Sequence, residues 1–450
     1  MDKYLEGYAE RGTAAVAGLP GDSPWQQTVV IPVCNESTGI LRPLPPLPGR
    51  SLMILVVNEV EGSPDHVSAA NQAFAAEVAE RFNETWQSGC SGGLALYSDP
   101  DSPRDVLLVD RFSKGLRWSR KGGVGHARKT GADLAAFLVN RNRIQSPWIH
   151  CSDADVVLPG RYFTCSGDLD DDASSTTAAL IYPFRHVSTE GAADDKVDQA
   201  TQLYEYSLRY YVAGLVFAGS PYAFHTIGST MAVNASHYCK VRGFPRRQAG
   251  EDFYLLNKLA KVGSVRQLDE ETECEPIKIA ARLSDRVPFG TGAAVGKMME
   301  LKDPIREFRF YHPRVFSSLK AWLDSLPIFW QQRSSKLTQI LSPLDLDYLI
   351  RPLRDAGASE ALDHSLRQSS NALQFTRHMN TWFDAFRTLK LIHYLRDCCY
   401  PPVGFEALVK HDSLRHLLPL EPVLASLHHS QQGVRLSRSS LRRLPDDNRC

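Results

Sequence analysis

Four stretches of this chain are apolar through their centres with no polar alternation: Thr28–Val33, Ser51–Asn58, Asp105–Asp110 and the run from Trp148 to Asp155. A strand that never alternates has no wet face, so it must be covered on both sides. Helical patterns separate these strands. Ser68 to Thr85 carries Ala69, Ala73, Phe74, Val78 and Phe82 on one side, and His126 to Asn140 follows the flexible Lys121-Gly-Gly-Val-Gly125. Thr177–Pro183 reads as a further strand, His225–Val233 as another, and residues 195–218 as a helix. Covered strands alternating with helices predict an α/β, Rossmann-like fold, a mostly parallel mixed sheet flanked by helices.

Open sheets of this kind bind ligands outside the carboxyl ends of their strands. Glu36, Asn58 with Glu59, Asp110, and Asp153 with Asp155 all fall at that edge. The pair Asp153 and Asp155 is the most informative. Two carboxylates one residue apart on a rigid mount can hold a hard divalent cation, which completes its shell with water and substrate phosphate oxygens. A metal–diphosphate site is the first expectation, with exposed strand-end carboxylates as the bland alternative.

Residues 1–25 read as a loose leader and 26–298 as the α/β domain. A helical extension follows over 299–427, with apolar spacing in Arg314–Ser325, Leu344–Asp355 and Asn371–Asp397, and a Ser- and Arg-rich tail over 428–450 reads as disordered. Asp168–Asp172 lacks the glycine and distal glutamate of a calcium loop and reads as a solvated loop. Lys plus Arg and Asp plus Glu are both 51, so no dominant nucleic-acid footprint is expected. Nine cysteines without a C-x-x-C pair suit reduced thiols and a cytoplasmic location. The charged start has no apolar signal segment, and the apolar run Tyr210–Phe224 is short and broken by Gly and Pro, so no membrane span is expected.

Three segments together resemble the A-type fold of family 2 glycosyltransferases. They are Thr28-Val-Val-Ile-Pro-Val-Cys-Asn-Glu36, then Gly125-His-Ala-Arg-Lys-Thr-Gly131 leading to Ser152-Asp-Ala-Asp155, and Gly243-Phe-Pro-Arg-Arg-Gln-Ala-Gly-Glu-Asp252. The likeness runs over about residues 27–285, and Lys129 departs from it where the family usually has Asn. It implies transfer of a sugar from a UDP- or GDP-sugar to a hydroxyl acceptor with Mg²⁺ or Mn²⁺ bound. Asp155 is then the direct ligand, and Asp153 touches ribose or the metal's waters. His225 is either a further ligand or a hydrogen-bonded rim histidine.

An attacking hydroxyl must lose its proton, so a carboxylate is needed within reach. The resemblance points to Asp252 as general base, with Glu251 orienting the acceptor or the loop. Both residues also suit the positive end of a helix. An Asp base on the face opposite the leaving group would invert the anomeric carbon. Glu36 and Asp110 are expected at the nucleotide, and Arg128 either there or on the helix surface. Arg282–Gly292 reads as a lid, with Arg282 or Arg286 as a cationic clamp on the diphosphate, or as an ordinary surface loop. The C-terminal helices offer a homodimer interface, an acceptor contact or a brace. A sugar nucleotidyltransferase would open on a Gly-rich loop, which Val33–Ser37 lacks; a non-catalytic nucleotide-binding relative is the remaining alternative.

Overall fold

The computed structural model describes residues 1–21, 23–41, 49–89, 93–119, 122–166, 176–188, 195–281 and 291–409. The chain divides into two compact units, Met1–Asp194 with Phe224–Gly296, and Asp195–Ala223 with Lys297–Cys450. Two boundaries therefore differ from expectation. The first residues belong to the α/β unit, and the helix after 195 belongs to the helical one.

In the first unit, helix α1 (Asp2–Gly7) and a 3-10 turn (Thr13–Gly18) precede β1 (Gln27–Val33). Next come β2 (Ser51–Asn58), α2 (Asp65–Arg81), β3 (Asn83–Gln87), β4 (Leu94–Ser98), β5 (Arg104–Arg111) and α3 (Val124–Asn140). β6 (Trp148–Cys151), β7 (Val156–Val157), β8 (Thr177–Ile181) and β9 (Phe184–Ser188) follow. One large sheet has the order β11-β8-β10-β6-β1-β2-β5-β4-β3, with β10 at Met231–Asn234 and β11 at Ser264–Gln267. Its centre, β6-β1-β2-β5, is parallel, and β10 enters antiparallel between β6 and β8. Every residue of β2 is buried, as a strand covered on both faces must be.

The helical pattern read over 68–85 stops at Arg81, and the chain turns into the edge strand β3, which pairs with β4. β3 is almost wholly exposed, so it carries no apolar signature to read. The strand expected to begin at His225 begins at Met231. The run through Asp155 breaks after Cys151: residues 152–155 turn, and β7 joins a separate sheet, β7-β12-β9, with β12 at Ile277–Ala281. The Asp-x-Asp pair thus stands where the chain passes from one sheet to the other.

α3 is buried continuously from Ala127 to Leu138 and lies over β1 and β2. It comes so close that a Cβ on Gly131 would meet Val30 Cγ1 at 2.3 Å. Two further helices of this unit are α5 (Ala235–Lys240) and α6 (Glu251–Leu259).

The helical unit begins with α4 (Asp195–Phe217), which precedes α5 in the chain. Its Tyr210 packs edge-on against Phe316 of the helix Pro313–Gln332, at 5.5 Å between ring centroids. Trp322, fully buried on that helix, meets Phe383 at 5.8 Å. The helix expected over 371–397 is broken at Phe383, and Asp384 caps the second half by accepting from the Arg387 N–H at 3.2 Å. Among the described residues no helix is long and apolar enough to cross a membrane. Residues 168–172, 282–290 and 428–450 lie outside the described residues.

Candidate active site

Arg128 is the centre of the site. It projects from the first turns of α3 and is only 3% exposed. Its Nη2 donates to Asp153 Oδ1 at 2.6 Å, its Nε to Glu251 Oε1 at 2.9 Å, and its Nη1 to the Ser152 carbonyl at 3.3 Å. Three segments far apart in sequence therefore meet on one guanidinium. The meeting needs Gly228, where a Cβ would stand 2.7 Å from Arg128 Nη2. Burial alone would lower the Arg128 pKa, but the Asp153 and Glu251 carboxylates outweigh it and raise it, so the group stays charged. Arg128 is thus committed to neighbouring side chains of the protein, not to the helix surface.

Glu251 and Asp252 open α6, preceded by Gly250 in the left-handed region. Glu251 is 3% exposed, with its carboxylate paired to Arg128. Asp252 is half-buried; its Oδ1 accepts from the Phe253 N–H at 2.7 Å, and the Gly228 backbone also donates to it. Burial lifts the Asp252 carboxyl, the charge of Glu251 lifts it further, and it stands at about 7. An acid held near neutrality can take a proton and release it, as a general base must.

Asp153 leaves its Arg128-bound oxygen inside while its side chain is 35% exposed. Burial lifts its carboxyl, Arg128 pulls it down, and Asp155, Glu251 and Glu36 push it back up, to about 6. Asp155 is half-buried, and its carbonyl is tied to the Ala280 N–H of β12 at 3.1 Å. Asp155, Glu251 and Glu36 all act on the Asp153 carboxyl, so acidic side chains gather at this end of the sheet. That gathering, and its oxygen donors, suit a hard divalent cation. Among the described residues no three His, Cys, Asp or Glu side chains are gathered so as to hold a metal by themselves. The trio Asp153, Asp155 and His225 is not preassembled.

His225 does not start a strand. It lies in the connection before β10, with its ring edge-on to Phe184 at 5.1 Å and its backbone N–H donating to Gln267 Oε1 at 3.0 Å. Asp110 ends β5 as expected, but its Oδ1 closes a local turn by accepting from the N–H groups of Phe112 and Ser113, both at 2.9 Å. Among the described residues no hydrogen bond or ion pair joins it to the Arg128 cluster. Glu36 follows the tip of β1 and acts electrostatically on Asp153. Arg282 and Arg286 lie outside the described residues.

One important group left no mark in the sequence. Asn71 of α2 is fully buried; its Oδ1 accepts from the Asn35 N–H at 3.0 Å and its Nδ2 donates to the Asn58 carbonyl at 3.0 Å. It clips together the tips of β1 and β2, just ahead of Glu36, and lets Asn35 hold a left-handed φ of 54°. A lone Asn in a polar helix gives no periodic signal, so only the coordinates reveal it.

No family model and no curated protein matches this chain. Among solved structures it shows a faint likeness to the mannosyltransferase PcManGT from Pyrobaculum calidifontis, in complex with GDP-Man and Mn²⁺. Identity is 14% and the TM-score 0.31, over 96% of this chain and 95% of that one. A likeness that faint decides neither fold nor chemistry.

Proposed function

We propose that this chain is a metal-dependent glycosyltransferase of the A-type fold, similar to family 2, that moves a hexosyl unit from a UDP- or GDP-sugar to a hydroxyl acceptor with inversion. The observation that carries this reading is the meeting of Asp153 and Glu251 on Arg128, with Asp252 one residue further and its carboxyl lifted to about 7.

The geometry supports the following roles. Asp155, and the exposed side of Asp153, would hold Mg²⁺ or Mn²⁺. When bound, such an ion neutralises charge on the departing diphosphate as a Lewis acid. Glu36 and the Asn71-clipped tips of β1 and β2 offer the nucleotide its seat. Asp252 takes the acceptor's proton as the new carbon–oxygen bond forms and the bond to the diphosphate breaks. Glu251, locked to Arg128, sets the start of α6 and thereby aims Asp252; it supports the base and does not touch the acceptor. Arg128 keeps the acidic walls from repelling each other apart before substrate arrives.

The test is turnover of a nucleotide-sugar panel with Mn²⁺ or Mg²⁺ present. Wild type should release nucleoside diphosphate, and Asp252→Asn should keep donor affinity while transfer falls by about 10²- to 10⁴-fold. Wild-type inactivity across the panel, or full activity in Asp252→Asn, would reject the proposal.

A further inference from the structure

The first ten residues make contacts that a leader has no reason to make. Tyr4 is 4% exposed, and its hydroxyl donates to Asp133 Oδ1 of α3 at 2.6 Å. Tyr238 donates to the same oxygen at 2.7 Å, while the Glu10 N–H and Lys129 Nζ both reach Asp133 Oδ2 at 2.8 Å. Lys129 also donates to the Tyr4 hydroxyl at 2.7 Å. A fully buried carboxylate is tolerated only when its lone pairs are filled. This network fills them, and it gives the unusual Lys129 a purpose.

The strap ends on Glu10, and Glu10 faces two ways. Its Oε2 lies 3.2 Å from His126 Nε2 at the start of α3, a ring also stacked on Trp118 at 4.1 Å. Both its oxygens accept from Arg246, from Nε at 2.6 Å and from Nη2 at 3.0 Å, the forked pairing that fixes direction as well as distance. Its side chain is 11% exposed. Burial alone would raise the Glu10 carboxyl, but the hydrogen bonds from His126 and Arg246 outweigh it and hold it at about 2, so it stays ionised.

Arg246 sits in the segment 241–250 that delivers Glu251 and Asp252. That segment is held by Lys258 Nζ on the carbonyls of Val241 and Gly243, at 2.9 and 2.7 Å, and by the Gly125 N–H on the Arg247 carbonyl at 3.1 Å. Glu10 adds the side-chain link between this segment and α3, which carries Arg128.

We propose that Glu10 is a positioning residue for the base: it ties α3 to the loop 241–250 and so fixes where α6 presents Asp252. The assignment rests on the transferase reading above, although the clamp is testable without it.

The experiment compares Glu10→Gln, Arg246→Gln and the double variant in the full chain, because Gln keeps the Glu10 backbone bond to Asp133. Each single variant should lower kcat on the order of tenfold with donor KM within about twofold, since a small misplacement of a reacting group costs rate rather than binding. The double should be no slower than the worse single, because both changes remove one link. Amides of residues 245–253 should exchange faster in all three, while those of β1 and β2 are unchanged. Multiplying losses in the double, a raised donor KM at unchanged kcat, or unaltered exchange over 245–253 would each overturn the proposal. Should wild type turn over no nucleotide-sugar, the transferase reading fails, and the exchange measurement alone decides the clamp.

Discussion

Arg128 is an internal counter-ion, and its worth is best seen in what its loss would strand. Glu251 is 3% exposed and paired through Arg128 Nε. Arg128→Ala leaves that carboxylate buried and unpaired, and breaking one side of such a pair costs about 3–5 kcal/mol. Denaturant unfolding should show that loss, and Arg128→Lys should recover part of it, since a lysine restores charge but not the forked geometry. Asp252 makes the opposite trade. Its folded carboxyl, at about 7, lies above that of an unfolded aspartate, so the folded chain holds an extra proton between about pH 4 and 7. Stability from this group is present below the unfolded value and is lost as pH rises through the folded one. In the proposed mechanism activity runs the other way, because a base works only once deprotonated. The pH dependence of kcat/KM should therefore rise on its acid side with a midpoint near 7 in the free protein. Asp252→Asn should be more resistant to denaturant than wild type at pH 8 despite its slowed transfer; an Asn variant weakened equally at pH 5 and pH 8 would count against a strained acid.

At the scale of elements, α3 does most of the positioning. It is buried along twelve residues from Ala127, and its small side chains let it lie directly on β1 and β2. Gly131→Ala would drive a methyl into Val30, an overpacking that costs about 1–3 kcal/mol and should lower the thermal midpoint without touching any residue of the site. Much of this was legible beforehand. The central strands showed themselves as unbroken apolar runs, and acidic residues at their carboxyl ends, Asp153 and Asp155 among them, fall where the candidate site stands. What was illegible had weak local signals. β3 is an exposed edge strand entered without a glycine or proline, so the helical spacing of α2 ran on into it. The break after Cys151 and the late start of β10 depend on which strand each segment pairs with, which no local pattern records. That Asp110, expected at the nucleotide, also closes a turn through its Oδ1 was not legible, because Asp serves both purposes with the same side chain. The strap at residues 1–10 was unreadable for a different reason: its partners, the buried Asp133 and the exposed Arg246, lie more than 120 residues away.

Across the whole molecule, the α/β unit holds every described residue of the candidate site, and the helical unit is built from its own aromatic core around Tyr210, Phe316 and Trp322. The α/β unit makes its site by bringing carboxylates from a sheet-to-sheet crossing and from a helix start onto a single arginine. On the proposed reading a cation and an anionic ligand bind at these carboxylates together, and coupled binding is the thermodynamic mark of that reading. Ligand that binds only the folded state also stabilises it, by about 2.7 kcal/mol at a hundredfold excess over Kd. The most direct measurement is calorimetric titration of UDP and GDP into wild type and Asp155→Ala, each with and without Mn²⁺. We predict that Mn²⁺ strengthens nucleotide binding to wild type by at least about tenfold, with the charge of the diphosphate completing the metal's shell, and that Asp155→Ala erases this gain. No binding of either nucleotide, or the same metal dependence in both proteins, would contradict a metal–diphosphate site at Asp155.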